Sequence, residues 1–409
     1  MKRVVVTGIA GFSPIGNDWD TIYRHLKSYK TGIKRMDDWD KYDGLNTRLA
    51  APVTDFTLPK HYSRKTLRSM GRVAQFAVCS TERALEDAGL LNSPLLSSGQ
   101  MGVAYGSSAG DSISYIDFGN MLTKNSTDGL NANSYIKMMA HTAPVNIGVF
   151  FGLQGRVFTT SSACTSGSQG IGYAYEAIKY GMQTAMVAGG SEGLCATESA
   201  VFDTLFATSV KNDTPHLSPS PFDKNRDGLV IGEGGCSLIL EELEHAKSRG
   251  ANIYAEIIGF GTNSDGTHVT QPNANTMQEA IRLSLTDAKI EAADIGYINA
   301  HGTATDRGDI AESHATANIM GNKVPISSLK SYTGHTLGAC GALEAWCSIE
   351  MMRNNWFCPT VNLTTLDPQC GDLDYIMTEG REIETDYVMS NNFAFGGINT
   401  SLIFKRYQH

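Results

Sequence analysis

One cysteine in this chain stands where a nucleophile would be placed. Around Cys164, residues 157–160 form a strand-like run, small residues follow, and an amphipathic helical pattern then begins. A cysteine at the start of a helix meets unpaired backbone N–H groups and the positive end of the helix dipole, and both favour the thiolate. We therefore expect Cys164 to be reactive, although an inert, buried cysteine is compatible with the same local sequence.

Two histidines and a lysine are candidates to act with this cysteine. His301 follows a short apolar run and precedes Gly302, so we expect its ring to face a cleft. His335 precedes a helical stretch rich in Ala and Gly. Lys330 has apolar neighbours, which places it near the core, where a lysine needs a partner or a lowered pKa. Taken singly, these residues are equally compatible with a capping or surface histidine and a solvated lysine.

One cysteine with two histidines suits two kinds of chemistry. A hydrolase would use one histidine as a base and an acidic residue to orient it, and no motif here supplies that acid. Two histidines aimed at one point would instead donate hydrogen bonds to an oxyanion. An enolate left by a malonyl thioester that has lost CO2 is such an oxyanion, so both chemistries stay open at this point.

Composition excludes several classes of protein. The chain has 409 residues, of which 41% are hydrophobic, which is enough for a large core of two or more domains. Its formal charge of −9 argues against nucleic acid as a partner. Its eight cysteines show no paired CxxC spacing, so neither a zinc site nor a disulfide framework is expected. No signal peptide or membrane-spanning run is recognised, which predicts a cytoplasmic protein without membrane insertion.

Alternating apolar runs and helical patterns must position these residues. We predict strands at 4–6, 102–105, 185–188, 237–240, 253–258 and 297–300, and helices at 73–88, 170–180 and 278–287. This alternation favours α/β layers with partly parallel sheets. A strand leads to Cys164 and a helix in one stretch, and a strand leads to His301 in another, with a further helix from Thr336. The two stretches suggest related halves.

Further motifs carry a family resemblance. In chain order they are VVVTGIAGFSPIGN, TTSSACTSGSQG, SPFDKNRDGLVIGEG, EIIGFGTNSDGTHVTQP, NAHGTATDRGD, SSLKSYTGHTLGACGALE and NNFAFGGINTSLIF. Together they resemble the elongating β-ketoacyl-acyl-carrier-protein synthases, types I and II, of the thiolase-like superfamily. The resemblance covers essentially the whole chain. It implies an α/β fold of five αβαβα layers in two pseudo-repeated halves, residues 1–250 with the cysteine and 251–409 with the two histidines.

The resemblance also implies an activity and partners. The activity would be a decarboxylative Claisen condensation of acyl groups with malonyl-acyl-carrier protein, in fatty acid or in polyketide-like or aryl polyene elongation. No cofactor would be required, because the carrier protein brings the substrate on its phosphopantetheine arm. The enzyme would be a homodimer or a heterodimer.

Roles carry over to this chain by motif. The resemblance implies that Cys164 is the nucleophile and that His301 and His335 are the enolate-stabilising pair. It implies that Lys330 supports the site electrostatically. It also implies that the N–H groups of Cys164 and Phe395 form an oxyanion hole, and that the Phe395 side chain is a gate. It further implies phosphopantetheine contacts at Thr303 and Thr305, carrier docking at Arg64, Lys65 and Arg68, an acyl pocket at Ala109 and Phe202, and a structural monovalent cation at Asn299, Glu344, Ser390 and Asn391.

Departures from the family pattern lead to two further expectations. Ala394 stands where the family has glycine, so we expect a stiffer loop through loss of freedom at positive φ, and Ile398 stands where it has threonine. Ala109 replaces a larger aliphatic residue, which predicts a wider pocket that accepts long, unsaturated or aryl-containing acyl groups.

Other functions on the same fold stay open to comparison. A thiolase would use a second cysteine, and an initiating synthase would lack the Lys330–His335 motif. A non-catalytic chain-length partner would lack the cysteine, so the presence of Cys164 argues against that alternative.

Overall fold

Strands of the protein gather mainly into one large sheet. The computed structural model describes residues 1–408. The strands are β1 (Val4–Phe12), β2 (Lys34–Arg35), β3 (Leu49–Ala51), β4 (Met101–Gly106), β5 (Val157–Thr160), β6 (Ala185–Glu192), β7 (Ile231–Gly232), β8 (Gly234–Glu242), β9 (Ala255–Ser264), β10 (Tyr297–Asn299), β11 (Pro325–Ser327), β12 (Trp356–Phe357), β13 (Asp374–Tyr375), β14 (Arg381–Glu382), β15 (Tyr387–Ala394) and β16 (Ile398–Arg406).

Helices alternate with these strands along the chain. They are α1 (Trp19–Lys27), α2 (Arg64–Leu67), α3 (Arg72–Asp87), α4 (Tyr115–Lys124), α5 (Ala132–Met138), α6 (Thr142–Phe151), α7 (Ser166–Lys179), α8 (Ala196–Asp203), α9 (Leu243–Ser248), α10 (Ala274–Ala288), α11 (Asp306–Met320), α12 (Lys330–Thr333) and α13 (Cys340–Arg353). Over residues 1–408, none of them combines the length and apolar character needed to cross a bilayer.

The large sheet consists of two copies of one five-stranded pattern. The strand order is β5-β4-β6-β8-β1 in the first copy and β11-β10-β15-β16-β9 in the second, with β13 added beyond β11. In each copy the first two pairings are parallel and the next two antiparallel. Antiparallel pairing of β1 with β9 joins the copies. Identical order and direction confirm the expected pseudo-repeat, and residues 250 and 251 lie between β8 and β9.

Helices cover both faces of the two copies and fill the space between them. Helices α3 and α6 pack on the outer face of the first copy, and α10 packs on that of the second with α11 beside it. Helices α7 and α13 lie between the copies and contact each other. Residues 340–352 of α13 are all buried, as expected for a helix with protein on every side. The five αβαβα layers expected from the resemblance are confirmed.

Each central helix begins after a strained turn. A short 3₁₀ turn, Ala163–Thr165, leads into α7, and another, Leu337–Ala339, leads into α13. The first residue of each turn has a left-handed backbone, with φ of 51° at Ala163 and 48° at Leu337. Such a conformation costs a non-glycine residue about 1–3 kcal/mol and is typical of functional sites. The first strained turn contains Cys164, and the second follows His335 closely in the chain.

Candidate active site

Three side chains predicted from separate motifs meet between the two halves. Cys164 lies in the 3₁₀ turn before α7, His301 follows β10, and His335 lies just before the turn that leads into α13. The sulfur and one ring nitrogen of each histidine all lie within 4.8 Å of one another, and all three residues are buried. His335 Nε2 is 2.9 Å from Cys164 Sγ. The two imidazole rings are nearly perpendicular, with centroids 5.2 Å apart.

Hydrogen bonds to the far side of each ring fix the position of its proton. The backbone N–H of Leu337 donates to His335 Nδ1 at 3.3 Å, and the Asn392 amide nitrogen lies 3.4 Å from His301 Nδ1. Because both partners are donors, each Nδ1 accepts and each Nε2 carries the proton. Burial, together with the nearby Lys330 charge, holds the pKa of both histidines well below the ordinary value. The site therefore presents two neutral imidazoles that carry their protons on Nε2.

The expected thiolate at Cys164 is not what the surroundings favour. Burial raises the pKa of the Cys164 thiol to about 11. The Lys330 charge and the backbone N–H groups of Phe395 and Cys164, which hydrogen-bond the sulfur, oppose this rise but do not offset it. The expectation from the helix start omitted complete desolvation, which acts in the opposite direction on this pKa. The same observation places the two N–H groups at one point beside the sulfur.

A buried ion pair lies next to these three residues. Lys330 and Glu344 are both almost completely buried, and the lysine Nζ donates to Glu344 Oε1. Burial alone would lower the pKa of Lys330, but Glu344 raises it above the ordinary value, so the lysine is charged. Glu344 Oε2 accepts from the Asn392 amide at 2.7 Å. The partner that a buried Lys330 requires is Glu344, and the Lys330 charge acts on Cys164 and both histidines.

Two buried carboxyl groups hold the backbone around the histidines. Glu312 accepts the N–H groups of His301 at 2.6 Å and of Gly302 at 2.7 Å. Burial raises the pKa of Glu312 to about 8, while the N–H donor of Gly302 opposes the rise. Glu192 accepts the N–H of Gly338 at 3.0 Å in the turn that follows His335. Each histidine-bearing segment is therefore fixed through its main chain.

A cavity of about 620 Å³ leads from the surface to the cysteine and the histidines. Its wall includes Phe202, Thr303, Thr305 and Phe395. The rings of Phe395 and Phe202 pack with centroids 5.2 Å apart, and the hydroxyls of Thr303 and Thr305 are 2.9 Å apart. The same cavity wall therefore brings both threonines and both phenylalanines together with the cysteine and both histidines.

The structure gives no support to the wider pocket expected at Ala109, and it contradicts the backbone reason for the stiffening expected at Ala394. Ala109 is not among the residues that line the cavity; its carbonyl accepts the Tyr115 hydroxyl at 2.5 Å, so this cavity lends no support to a pocket widened at Ala109. Ala394 ends β15 with ordinary strand backbone, and the left-handed residues of the loop are Gly396 and Gly397. The predicted stiffening was therefore wrong, because the native conformation at Ala394 makes no use of glycine's freedom.

The side chains of the four residues predicted to hold a structural cation do not all lie on one face of the sheet. Asn299 pairs with Ser390 across β10 and β15, and Asn299 Nδ2 contacts Ser390 Oγ at 3.3 Å. Both oxygens of Glu344 are already engaged. Asn391, one residue along β15, points to the other face of the sheet, because its register partner Ser401 bonds Ser284 of α10 there. Among the side-chain polar atoms of these four residues, Asn299 Oδ1 and both Nδ2 and Oδ1 of Asn391 are buried without a hydrogen-bond partner.

The predicted docking residues lie on the surface. Helix α2 spans only Arg64–Leu67, and Arg68 continues it with helical backbone as the C-cap. Arg64, Lys65 and Arg68 are all exposed and form no ion pair with any residue of 1–408. Three unpaired positive charges are thus available on this short segment.

Sequence reasoning missed Asn392. This fully buried residue bridges His301 and Glu344. Strand alternation would have identified it, because residues 390 and 392 of one strand share a face and residue 391 does not. Glu192 and Glu312 were also missed, since no local pattern shows that a carboxylate will accept main-chain N–H groups from a distant segment.

Comparisons with known proteins agree with this architecture. The model of the beta-ketoacyl synthase N-terminal domain matches residues 1–246, and that of the C-terminal domain matches residues 254–364. The chain is 36% identical to a 3-oxoacyl-[acyl-carrier-protein] synthase 2 of Vibrio harveyi over 99% of each chain.

Solved structures agree as well. A beta-ketoacyl synthase from Burkholderia phymatum superposes with a TM-score of 0.98 at 59% identity over the whole of both chains. A type II polyketide ketosynthase, solved in complex with its acyl-carrier protein and bound to a hexaketide, superposes with a TM-score of 0.90 at 31% identity over 99% of this chain and 100% of that one.

Fold and site together define a condensing enzyme of the thiolase-like class. Within that class, the chain belongs to the β-ketoacyl synthase family. It is an acyltransferase, and the alternative of a non-catalytic chain-length partner is not favoured, because the cysteine, both histidines and the lysine are all present and converge.

Proposed function

We propose that the protein extends acyl chains by two carbons through a decarboxylative Claisen condensation with malonyl-acyl-carrier protein, in fatty acid or polyketide-like synthesis. The observation that carries this proposal is the convergence of one sulfur and two imidazole N–H donors at the end of a 620 Å³ cavity. A single sulfur accepts an acyl group, and two neutral donors beside it stabilise an enolate oxygen.

The first half-reaction transfers the acyl group to Cys164. Its sulfur attacks the thioester carbonyl of the acyl-carrier protein, and the carbonyl oxygen takes up the negative charge. The backbone N–H groups of Cys164 and Phe395 already bond the sulfur and are placed to bear that charge. The bond to the carrier sulfur then breaks, and the carrier leaves as a thiol with the proton that Cys164 gave up.

The second half-reaction forms the new bond. The carboxylate of malonyl-carrier protein leaves as CO2, and the electron pair of the broken bond forms an enolate. The Nε2–H groups of His301 and His335 donate to the enolate oxygen, because each Nδ1 is engaged elsewhere. The enolate carbon attacks the acyl carbonyl, and Cys164 departs as a thiolate. The Lys330 charge stabilises that thiolate, since it lowers the pKa of this cysteine.

The carrier protein is the substrate's source in this proposal. Thr303 and Thr305 line the cavity and would hydrogen-bond the phosphopantetheine arm. The exposed charges of Arg64, Lys65 and Arg68 suit an acidic carrier protein, since opposite charges steer encounter. The polyketide ketosynthase solved with its own carrier protein supports this kind of partner.

We further propose that two copies of the chain pair along β5. This strand ends the large sheet, and Val157 is half-exposed on it. Helix α4 also exposes apolar side chains to solvent, Ile116 and Leu122 among them. Unpaired edges and apolar patches are normally covered in native proteins. A homodimer accounts for both features; a heterodimer with a related chain would use the same edge.

Intact-mass measurement of the protein tests the proposal. The parent, incubated with an acyl-carrier protein, should gain the mass of one acyl group, and malonyl-carrier protein should then discharge it as a β-ketoacyl product. Cys164→Ala should gain no acyl mass. Cys195→Ala is a matched control, because Cys195 also stands at a helix start, at the N-cap of α8, and is only partly buried. Acylation of the Cys164→Ala protein, or none of the parent with any carrier, would refute the proposal.

A further inference from the structure

An apolar rim surrounds one side of the cavity entrance. We define it by three cavity-lining residues that are exposed to solvent: Leu205 at 48%, Phe206 at 87% and Val269 at 70%. Large apolar side chains on a surface are unremarkable singly, but three around one opening form a patch that lies against whatever passes through it.

Phe206 is the least expected member of the rim. It follows α8, and its φ of 53° is left-handed. Its N–H donates to the Asp203 carbonyl at 2.9 Å and the next N–H, of Ala207, donates to the Phe202 carbonyl at 3.0 Å. This pair of bonds is the Schellman arrangement, whose left-handed position is normally glycine because a Cβ there is strained.

The fold gains nothing from phenylalanine at this position. The ring is almost fully exposed, so it buries little surface, and the backbone under it would be more stable with glycine. Strain that persists without a packing benefit points to a function. The location at the entrance indicates which function.

We propose that Phe206, with Leu205 and Val269 beside it, is an apolar contact for the carrier protein at the base of its phosphopantetheine arm, and that it discriminates among carriers. This inference rests on the proposed condensing function. An arm that reaches Cys164 through this entrance brings its carrier protein against the rim, so the rim and the carrier meet in every acylation. A second copy of the chain seated here would close the entrance, which argues against that occupant.

The test separates the carrier protein from its arm. Phe206→Gly is compared with the parent, using acyl-carrier protein and acyl-pantetheine, the same arm without protein, as acyl donors. We expect KM for the acyl-carrier protein to rise about tenfold, as for loss of one buried aromatic contact. We expect kcat/KM for acyl-pantetheine to stay within about twofold, and the melting temperature to stay equal or rise.

Tyr29→Gly is the matched control. Tyr29 is also an exposed aromatic residue with a left-handed backbone, at φ 56°, but it lies outside the cavity wall. The melting temperature of this variant should change as that of Phe206→Gly does. Its KM and kcat/KM with both acyl donors should equal those of the parent.

Other outcomes would overturn the inference. Equal losses with both donors would make Phe206 part of the arm's path rather than a carrier contact. Unchanged kinetic constants with both donors would show that Phe206 does not contact the carrier protein productively, and would refute the proposed role. A parent protein that accepts acyl groups from acyl-pantetheine but from no carrier protein would overturn it while acyl transfer to Cys164 stands, and a parent that accepts neither would remove the condensing function itself.

Discussion

The turn that begins at Ala163 and the turn that begins at Leu337 share a backbone conformation but position different groups. Both begin at a left-handed non-glycine residue, pass through a 3₁₀ turn and lead into a central helix. The first turn presents Cys164, whose sulfur is bonded by its own N–H and that of Phe395. The second uses the Leu337 N–H to orient His335. One scaffold, present twice, thus places two kinds of group at a single point.

The difference suggests a division of labour. In the proposed mechanism the first half contributes the acyl acceptor, and the second contributes both enolate-stabilising donors, with the Lys330–Glu344 pair beside them. The two half-reactions of the proposed mechanism should therefore respond differently to changes in the two halves.

The largest effect is expected at His301. In His301→Ala, CO2 release from malonyl-carrier protein should fall by about 10²–10³-fold, because one of two enolate donors is lost. Acyl transfer to Cys164 should fall by less than about tenfold, since this ring makes no bond to the sulfur. Rapid-quench assays of each half-reaction measure both rates, with the exposed His314→Ala as control. Equal losses of rate in the two half-reactions would contradict the assignment of separate roles to the two halves.

The buried Lys330–Glu344 ion pair should contribute more to the free energy of unfolding than an exposed ion pair does. Lys330→Ala leaves Glu344 buried without its cation, and we expect the free energy of unfolding to fall by about 3–5 kcal/mol. Removing both charges in Lys330→Met/Glu344→Leu should restore most of it. Denaturant unfolding of the two variants decides this, and breaking the exposed Glu279–Arg282 pair by Arg282→Ala should have little effect. A double variant no more stable than Lys330→Ala would contradict the account.

The reactivity of Cys164 should rise steeply with pH. Its pKa of about 11 means that the thiolate fraction grows about tenfold for each pH unit between 7 and 10, since only the deprotonated form reacts. Alkylation by iodoacetamide, followed by peptide mass spectrometry, measures this in the free enzyme. A plateau below pH 8 would instead mean that the helix start and Lys330 outweigh burial, as the sequence alone suggests.

The smallest effect is expected at the loop after β15. Ala394→Gly should change the acylation rate by less than about twofold, because Ala394 has strand backbone. Gly397→Ala should be far more damaging: its φ is 70°, and a Cβ there would lie 2.6 Å from Asp265 Cβ. Acylation rates of the two variants compare them directly, and a large gain for Ala394→Gly would revive the stiffening hypothesis.

Much of the fold was predictable from the sequence because apolar periodicity reports buried strands and helices directly. The predicted strands around residues 4–6, 102–105 and 185–188 lie within β1, β4 and β6, and the helix predicted at 73–88 is α3 to within one residue at each end. The convergence of Cys164, His301 and His335 came from motifs, and the geometry agrees with it.

What could not be predicted depends on three-dimensional surroundings. The raised pKa of Cys164 comes from total burial, which no local pattern reports. Asn392 was missed although it contacts His301 and Glu344, because a motif gives residues but not the face of the sheet on which each one lies. Ala109 was assigned to an acyl pocket by its position in the chain; it is absent from the wall of the cavity that reaches Cys164, and the assignment stays a prediction.

The most direct test of the account starts from the acyl-enzyme. Parent protein carrying an octanoyl group on Cys164 is mixed with malonyl-carrier protein, and CO2 and the carrier-bound product are measured in a single turnover. The account predicts one CO2 and one β-ketoacyl-carrier protein, two carbons longer than the acyl group, for each acyl-enzyme consumed. Loss of the acyl group as free octanoic acid, without CO2 release, would show a hydrolase and contradict the account.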